Sequence, residues 1–484
     1  MKRQTLILAI LALLLPAILR GLWFYRGAPE RNAISTPDYA SFERPQAAVS
    51  TPDLEDVEEL GGTVLLDAYH GNQFVLNEIE SFTAAIRARG GALEIIADIY
   101  SLEIQLKTAS AYVTVSPSVV FSQYETQLLK NFTDRGGKIL VFTDATRNQL
   151  YFDYISGNPI AYGDSNAANS LLRHFDISVK NDYMYNTVEN EGNFRNVIFD
   201  EFAKSELTFG LDEVALYGAR SVETDSGMIL LQGPQTNLSS LDDAYDPNAG
   251  GAAINEDETV VAFGDFTFLS APYSTYTDNA ALIQNLADWT LSGSQTPNLN
   301  LFPYVFSDDT VKVVVSPDLE RDPSMVTALG SLQAAMRMLN LKVEFVDDLP
   351  SSGDVIAIGT FDAAEDFEDY LLKVDVEIGD GLISSVAFGD VNSGGNGLIL
   401  FDATNKGNTL ALLAGSPEDL IALINVINYG TLGSCLTSEQ VAICAVGSGE
   451  DFSSDDFYFD ESFLEETAAD TADQSLTPEA TPTP

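Results

Sequence analysis

"GTVLLDAYHGNQFVLNEIESFTAAIRARGGALEIIADI", residues 62–99, decides how this chain folds. Residues 62–69 are apolar at consecutive positions, as a strand buried on both faces requires. From Leu76 the apolar residues recur at helical spacing, and the run stops on glycine at Gly90. Residues 92–99 return to strand character. Strand, helix and strand in succession make a βαβ unit and predict a parallel sheet. The turn after the first strand holds His70, one of only two histidines in 484 residues.

The same alternation continues outward from this unit. "AYVTVSPS" (111–118), "KILVFTDA" (138–145) and "TVVAFGDFTFL" (259–269) read as strands. "YETQLLKNFTDRGG" (124–137), "NAANSLLRHF" (166–175) and "DNAALIQNLADWT" (278–290) read as helices. Strand-like pieces lie near 177–185, 195–199, 214–222 and 228–232. The expectation is an α/β domain over 61–292 with a mostly parallel sheet covered by helices. "LSGSQTPNLN" (291–300) reads as a domain break. A second, smaller α/β domain is expected over 293–447, built from runs such as "TVKVVVSPD", "DVIAIGTFD" and "GLILFDAT" and the helix "SPEDLIALINVINYG". It shows no clear repeat of the first.

The chain carries 24 basic against 72 acidic residues, a formal charge of −48. Such a surface repels phosphate backbones, so no nucleic-acid partner is expected. The N-terminus, "MKRQTLILAILALLLPAILRGLWFYRG", is long and apolar enough to span a bilayer. No small-x-small site follows its apolar core, which favours an uncleaved transmembrane signal-anchor over 1–26 against the alternative, a cleaved signal peptide. No cysteine precedes Cys435, which excludes lipoprotein processing. Residues 27–60, rich in Pro, Ser, Thr and acids, read as a linker; residues 448–484 read as a disordered acidic tail. Cys435 and Cys444 are the only cysteines, and their spacing suggests a local disulfide in an oxidising compartment, two buried thiols being the alternative. With the anchor, this places the bulk of the chain outside the cell membrane as a single-pass protein.

Three strands of the first domain end in aspartate: Asp67, Asp144 and Asp265. In a parallel sheet, ligands bind beyond the carboxyl ends of the strands. If these strands are neighbours, the three carboxylates converge with His70 and Asn72 into a ligand-binding candidate, a metal site or an acid/base cluster. The alternative is that strand-end aspartates cap the turns that follow. His174, in "LLRHF", reads as a packed or half-exposed helix residue. No G-x-S-x-G elbow, Walker loop or G-x-G-x-x-G is present, so no cofactor is expected. "DDAYDPNAGGAAINEDE" (242–258) clusters oxygen ligands without EF-hand spacing and reads as a solvated acidic loop.

"VLLDAYHGNQFVLNEIESFTAAIRARG", "SQYETQLLKNFTDRGGKILVFTDA", "ALYGARSV" and "VVAFGDFTFLSAPYSTYTDNAALIQNLADWT" occur in an order that resembles a bacterial family of unknown function. That family is similar to the extracytoplasmic domains of gliding-motility-type ABC-transporter auxiliary proteins. The resemblance covers about residues 60–292. It implies a flavodoxin-like sheet of the class I glutamine amidotransferase type. That fold uses a Cys-His-Glu triad, and here "FTDATRN", with Asp144 and Thr146, stands where the cysteine elbow belongs. The resemblance therefore implies a non-catalytic domain that binds or assembles envelope or transporter proteins. The alternatives are a metal-dependent or acid/base hydrolase using the strand-end aspartates with His70, and a purely structural envelope protein.

Overall fold

The computed structural model describes residues 2–25, 58–147, 149–152, 159–430 and 432–447. The expected acidic tail, and all but the last residues of the expected linker, lie outside the described residues. Residues 1–49 and 50–484 are separate compact units. The first contains helix α1 (Arg3–Phe24), 22 residues with none buried, long and apolar enough to cross a membrane.

The second unit contains two large sheets. The first is built from β1 (Thr63–Asp67), β2 (Ala92–Ile96), β3 (Ala111–Val115), β4 (Lys138–Phe142), β5 (Glu201–Phe202), β6 (Met228–Gln232), β7 (Ala252–Ile254) and β8 (Val260–Phe263). Its order is β5-β6-β7-β8-β4-β3-β1-β2. β2, β1, β3, β4 and β8 are parallel to their neighbours in that run, and β7, β6 and β5 continue antiparallel. The antiparallel extension has a local cause. Residues 255–259 between β7 and β8 are too few for a crossover, so these strands pair as a hairpin.

The parallel strands are buried on both faces, which explains their unbroken apolar runs. In β4, Leu140 and Phe142 join a core with Phe82, Phe263 and Phe268, while Ile139 and Val141 join another with Leu65, Tyr112 and Leu129. Each such side chain contributes about 1.5–3 kcal/mol by burial. The flanking helices are α2 (Glu80–Ala88), α3 (Ile99–Gln105), α4 (Gln123–Asp134), α5 (Ser165–Leu172) and α6 (Asn279–Leu291). Gly264 follows β8 where the backbone of Arg220 passes so closely that a Cβ would lie 2.0 Å from its carbonyl oxygen.

The second sheet comprises β9 (Thr310–Val315), β10 (Lys342–Val346), β11 (Asp354–Thr360), β12 (Asn396–Thr404), β13 (Gly407–Ala414), β14 (Cys435–Thr437) and β15 (Val441–Ala445). Its order is β10-β9-β11-β13-β12-β15-β14, parallel from β10 to β13 and antiparallel thereafter. Helices α7 (Pro323–Met338), α8 (Glu368–Lys373) and α9 (Pro417–Asn428) cover it. Cys435 and Cys444 pair across β14 and β15 with a Cα separation of 4.2 Å and form a disulfide.

The segment read as a domain break is seated against the first sheet's helices. Gln295 Nε2 donates to the carbonyls of Leu106 and Ala109 at 2.7 and 2.9 Å, and Lys107 Nζ donates to the Phe302 carbonyl at 2.9 Å. Partial burial there lowers the pKa of Lys107 and of Arg135. His174 also departs from its reading: it lies in a 3₁₀ turn after α5 and is exposed. The acidic stretch 242–258 is only partly a loop, because it includes β7 and the buried residues Ala249–Ile254. Two of its carboxylates have side-chain partners: Asp246 pairs with Lys180 at 2.7 Å, and Asp243 accepts from the Tyr185 hydroxyl at 2.9 Å.

Candidate functional site

The parallel strand order reverses between β1 and β3, and such switch points place ligands at the strands' carboxyl ends. Asp67, Ser116, Asp144 and Asp265 all occupy this edge: Asp67 ends β1, Ser116 directly follows β3, and Asp144 and Asp265 each lie two residues past β4 and β8. The predicted convergence holds for the backbone but divides into two side-chain clusters.

The first cluster surrounds Asp67. Its carboxylate accepts from Tyr69 N at 3.0 Å, Thr114 Oγ1 at 2.7 Å and Asn72 Nδ2 at 3.2 Å, and faces His70 Nδ1 at 3.0 Å. Asn72 Nδ2 also donates to Thr114 Oγ1 and the Val115 carbonyl. The His-Gly-Asn turn depends on Gly71, at φ +61°, where a Cβ would sit 2.5 Å from Ser118 Oγ. His70 stacks on Phe121 with ring centroids 3.8 Å apart. Its Nε2 lies 3.3 Å from Glu125 Oε1, within ion-pair range but off the hydrogen-bond direction. Burial alone would raise the Asp67 pKa, but the hydrogen bond and charge of His70, with Thr114 and the Tyr69 N–H, hold it below its ordinary value.

Glu125 escaped the sequence reading, although Ser122-x-x-Glu125 carries the signature of a capping box. Ser122 caps α4, and Glu125 Oε2 accepts from Ser122 N at 2.7 Å. This leaves Oε1 to face the imidazole.

The second cluster joins β4, β8 and α5. Asp144 accepts from Thr146 N and Oγ1 at 2.7 and 2.6 Å and from Thr267 Oγ1 at 3.1 Å. Asp265 accepts from Tyr217 N and Thr267 N, each at 2.9 Å. Asp164 receives Ser116 Oγ at 2.7 Å, Asp144 N at 2.7 Å and Arg220 Nε at 2.8 Å. Arg220 is 1% exposed and Asp164 is 0% exposed, a buried ion pair that no sequence pattern announced. Only the tertiary fold brings α5 and the segment after residue 217 together.

Asp67, Asp144 and Asp265 are each 0% exposed and His70 is 1% exposed. Among the described residues no group of three His, Cys, Asp or Glu side chains is placed to hold a metal ion. The carboxylates act as caps for the turns beyond the strands, and Asn72 alone of the five candidates is only half-buried. Ser116, directly after β3, has φ +44°, whereas Asp144 has no such conformation. The left-handed residue at this strand edge lies in "VSPS".

Burial pushes Asp265 up to about 8, with neighbouring Asp144 acting in the same direction against two backbone N–H bonds. A raised carboxyl favours folding at low pH. Its contribution is full below the unfolded value, about 3.9, and is lost as pH rises through the folded value, about 8. Asp265→Asn removes this titration but leaves one backbone N–H facing an amide group. We expect the variant to be less stable than wild type at pH 5 and the gap to narrow by pH 9 in urea unfolding. A gap constant across that range would refute the linkage.

No family model and no curated protein matches this chain. Similar solved structures include the mmIFT52 N-terminal domain, 18% identical over 48% of this chain and 99% of that chain, with a TM-score of 0.38. A ThuA-like protein from Bacteroides uniformis is 13% identical over 50% of this chain and 95% of that chain, with a TM-score of 0.29. PurLQS from Thermotoga maritima is 9% identical over 47% of this chain and 98% of that chain, with a TM-score of 0.26. These scores are too low to carry an argument about function.

Proposed function

We propose that this is a membrane-anchored, extracytoplasmic binding or assembly protein whose first domain is a flavodoxin-like, amidotransferase-type sheet without catalytic function. The parallel strands support the flavodoxin-like class, since β2-β1-β3-β4-β8 is the order 2-1-3-4-5 among parallel strands. Helix α1 supports the anchor, and the disulfide supports an oxidising compartment. The observation that carries the reading is the sealed strand edge: Asp67, Asp144 and Asp265 are buried and their oxygens filled by protein donors. Such a domain contributes surface, and its partners are envelope or transporter-linked proteins.

The test is chemical cross-linking of the tagged full chain in native membranes, followed by mass spectrometry. A defined envelope complex that persists in Asp67→Asn and Ser116→Ala variants is expected. A chain that cross-links to nothing beyond background overturns the reading and leaves a purely structural role.

One observation favours a second reading, a hydrolase. Ser116 combines a left-handed backbone with a position directly after a central parallel strand, as nucleophile elbows do. Its hydroxyl, however, is buried and donates to Asp164, which is already paired with Arg220. Fluorophosphonate labelling of the wild type that disappears in Ser116→Ala would establish that reading; absence of labelling is expected.

A further inference from the structure

Strand β2 is one edge of the first sheet. Among the described residues it pairs with β1 alone, and the Ala92 N–H and Ile96 carbonyl bond to the β1 side. By the alternation of a parallel ladder, Leu93 and Ile95 present their N–H and C=O groups away from the sheet. Natural edge strands are often blunted by proline, charged side chains or a bulge. "ALEII" has no proline or bulge and a single charge, Glu94, and Ile95 is 53% exposed.

Apolar surface accompanies this edge. α3 directly follows β2 and exposes Tyr100 at 86% and Ile104 at 55%. The Tyr124 hydroxyl donates to Glu103 at 2.9 Å, which brings exposed Tyr124 of α4 beside them. The charged groups among these residues are acidic: Glu94, Asp98 and Glu103 are all exposed. The nearest basic side chain in sequence, Lys107, donates to the Phe302 carbonyl and feels the charge of Glu103, which leaves Glu94 and Asp98 as the carboxylates without a basic neighbour in sequence.

We infer that β2 and α3 form a docking edge for an extended segment of another protein, one with alternating apolar and basic side chains, which adds as a further strand. Backbone groups of Leu93 and Ile95 supply the pairing. Tyr100 and Ile104 receive apolar side chains, and Glu94, Asp98 and Glu103 receive the basic ones. A second copy of this chain is the wrong occupant, because it would set Glu94 near Glu94 between molecules of formal charge −48. Anionic lipid is repelled for the same reason. The inference rests on the assembly reading above and names the partner's chemistry.

The test uses the full chain in detergent and a decapeptide of alternating valine and lysine. Hydrogen exchange at Leu93 and Ile95 should be fast alone and slowed at least tenfold by the peptide. Ile95→Pro removes an outward N–H while sparing the β1 ladder, and should weaken binding at least tenfold at unchanged charge. Should that variant fold poorly, Tyr100→Glu with Ile104→Glu adds two negative charges. Charge attraction alone would then bind the peptide more tightly, whereas docking at this edge weakens it. Equal or tighter binding by the variants overturns the inference, as does protection of Leu93 and Ile95 without peptide. In native membranes, a complex retained by Ile95→Pro sinks the docking edge but not the assembly reading. Edge binding in vitro with no cross-linked complex in membranes sinks the assembly reading instead.

Discussion

Asp164→Ala is expected to destabilise the second unit by about 3–5 kcal/mol, the cost of removing one partner from a buried ion pair. Asp164 is wholly buried and serves three donors: Arg220 Nε, Ser116 Oγ and the Asp144 N–H. Alanine leaves these in an interior where water does not replace the lost oxygens. Arg220 also donates to Asn181 Oδ1 and the Asp182 carbonyl, at 3.1 and 3.3 Å. Arg220→Met in the Asp164→Ala background should recover part of the loss, because the guanidinium that Asp164 paired with is then absent too. Urea unfolding of the two single variants and the double variant forms the cycle that checks this. Additive losses would mean that the pair does not act as a unit. The strain at Ser116 belongs to the same network, since its hydroxyl would lose the acceptor that holds the turn.

Cys435→Ser with Cys444→Ser is expected to cost about 2–4 kcal/mol, toward the lower end because the closed loop is short. The two residues are nine apart in sequence and directly opposed across β14 and β15. The hairpin is the last element of the second sheet, with β14 at the open edge. The loss should therefore be local. Exchange at residues 435–445 should rise while β9 and β11 stay protected, and thermal unfolding should show the lowered midpoint. Cys444 is 0% exposed and sits in the second core with Ile399 and Leu423, so serine also places a hydroxyl among apolar groups. Treating the wild type with dithiothreitol separates the two effects. Reduction alone should give a smaller loss than the double substitution.

The strands and helices of the first sheet and its cover were legible because each follows a pattern of local spacing. β1, β3, β4 and β8 are runs buried on both faces, and α2, α4 and α6 carry apolar stripes. Two features between residues 149 and 254 were harder to read. The strands there are as short as two residues, too brief for a pattern, and β5, β6 and β7 pair antiparallel across intervening segments of about twenty residues or more. The turn at His70 was visible through its glycine, which only a positive φ explains. The partner on its far side was not, since Glu125 reaches His70 from α4, fifty-five residues away in sequence.

By itself, then, the sequence determined what depends on local spacing: the apolar N-terminal helix, the βαβ alternation, the aspartates at the strand ends and the cysteine pair. Periodicity and chain connectivity specify these without reference to distant residues. Only the tertiary structure decided that Asp67 faces His70 while Asp144 and Asp265 form a separate cluster, that Ser116 carries the strain, and that Asp164 and Arg220 meet in the interior. Whether a strand-end carboxylate faces solvent or closes on neighbouring donors depends on elements far away in the chain. Burial, unlike periodicity, belongs to the assembled fold.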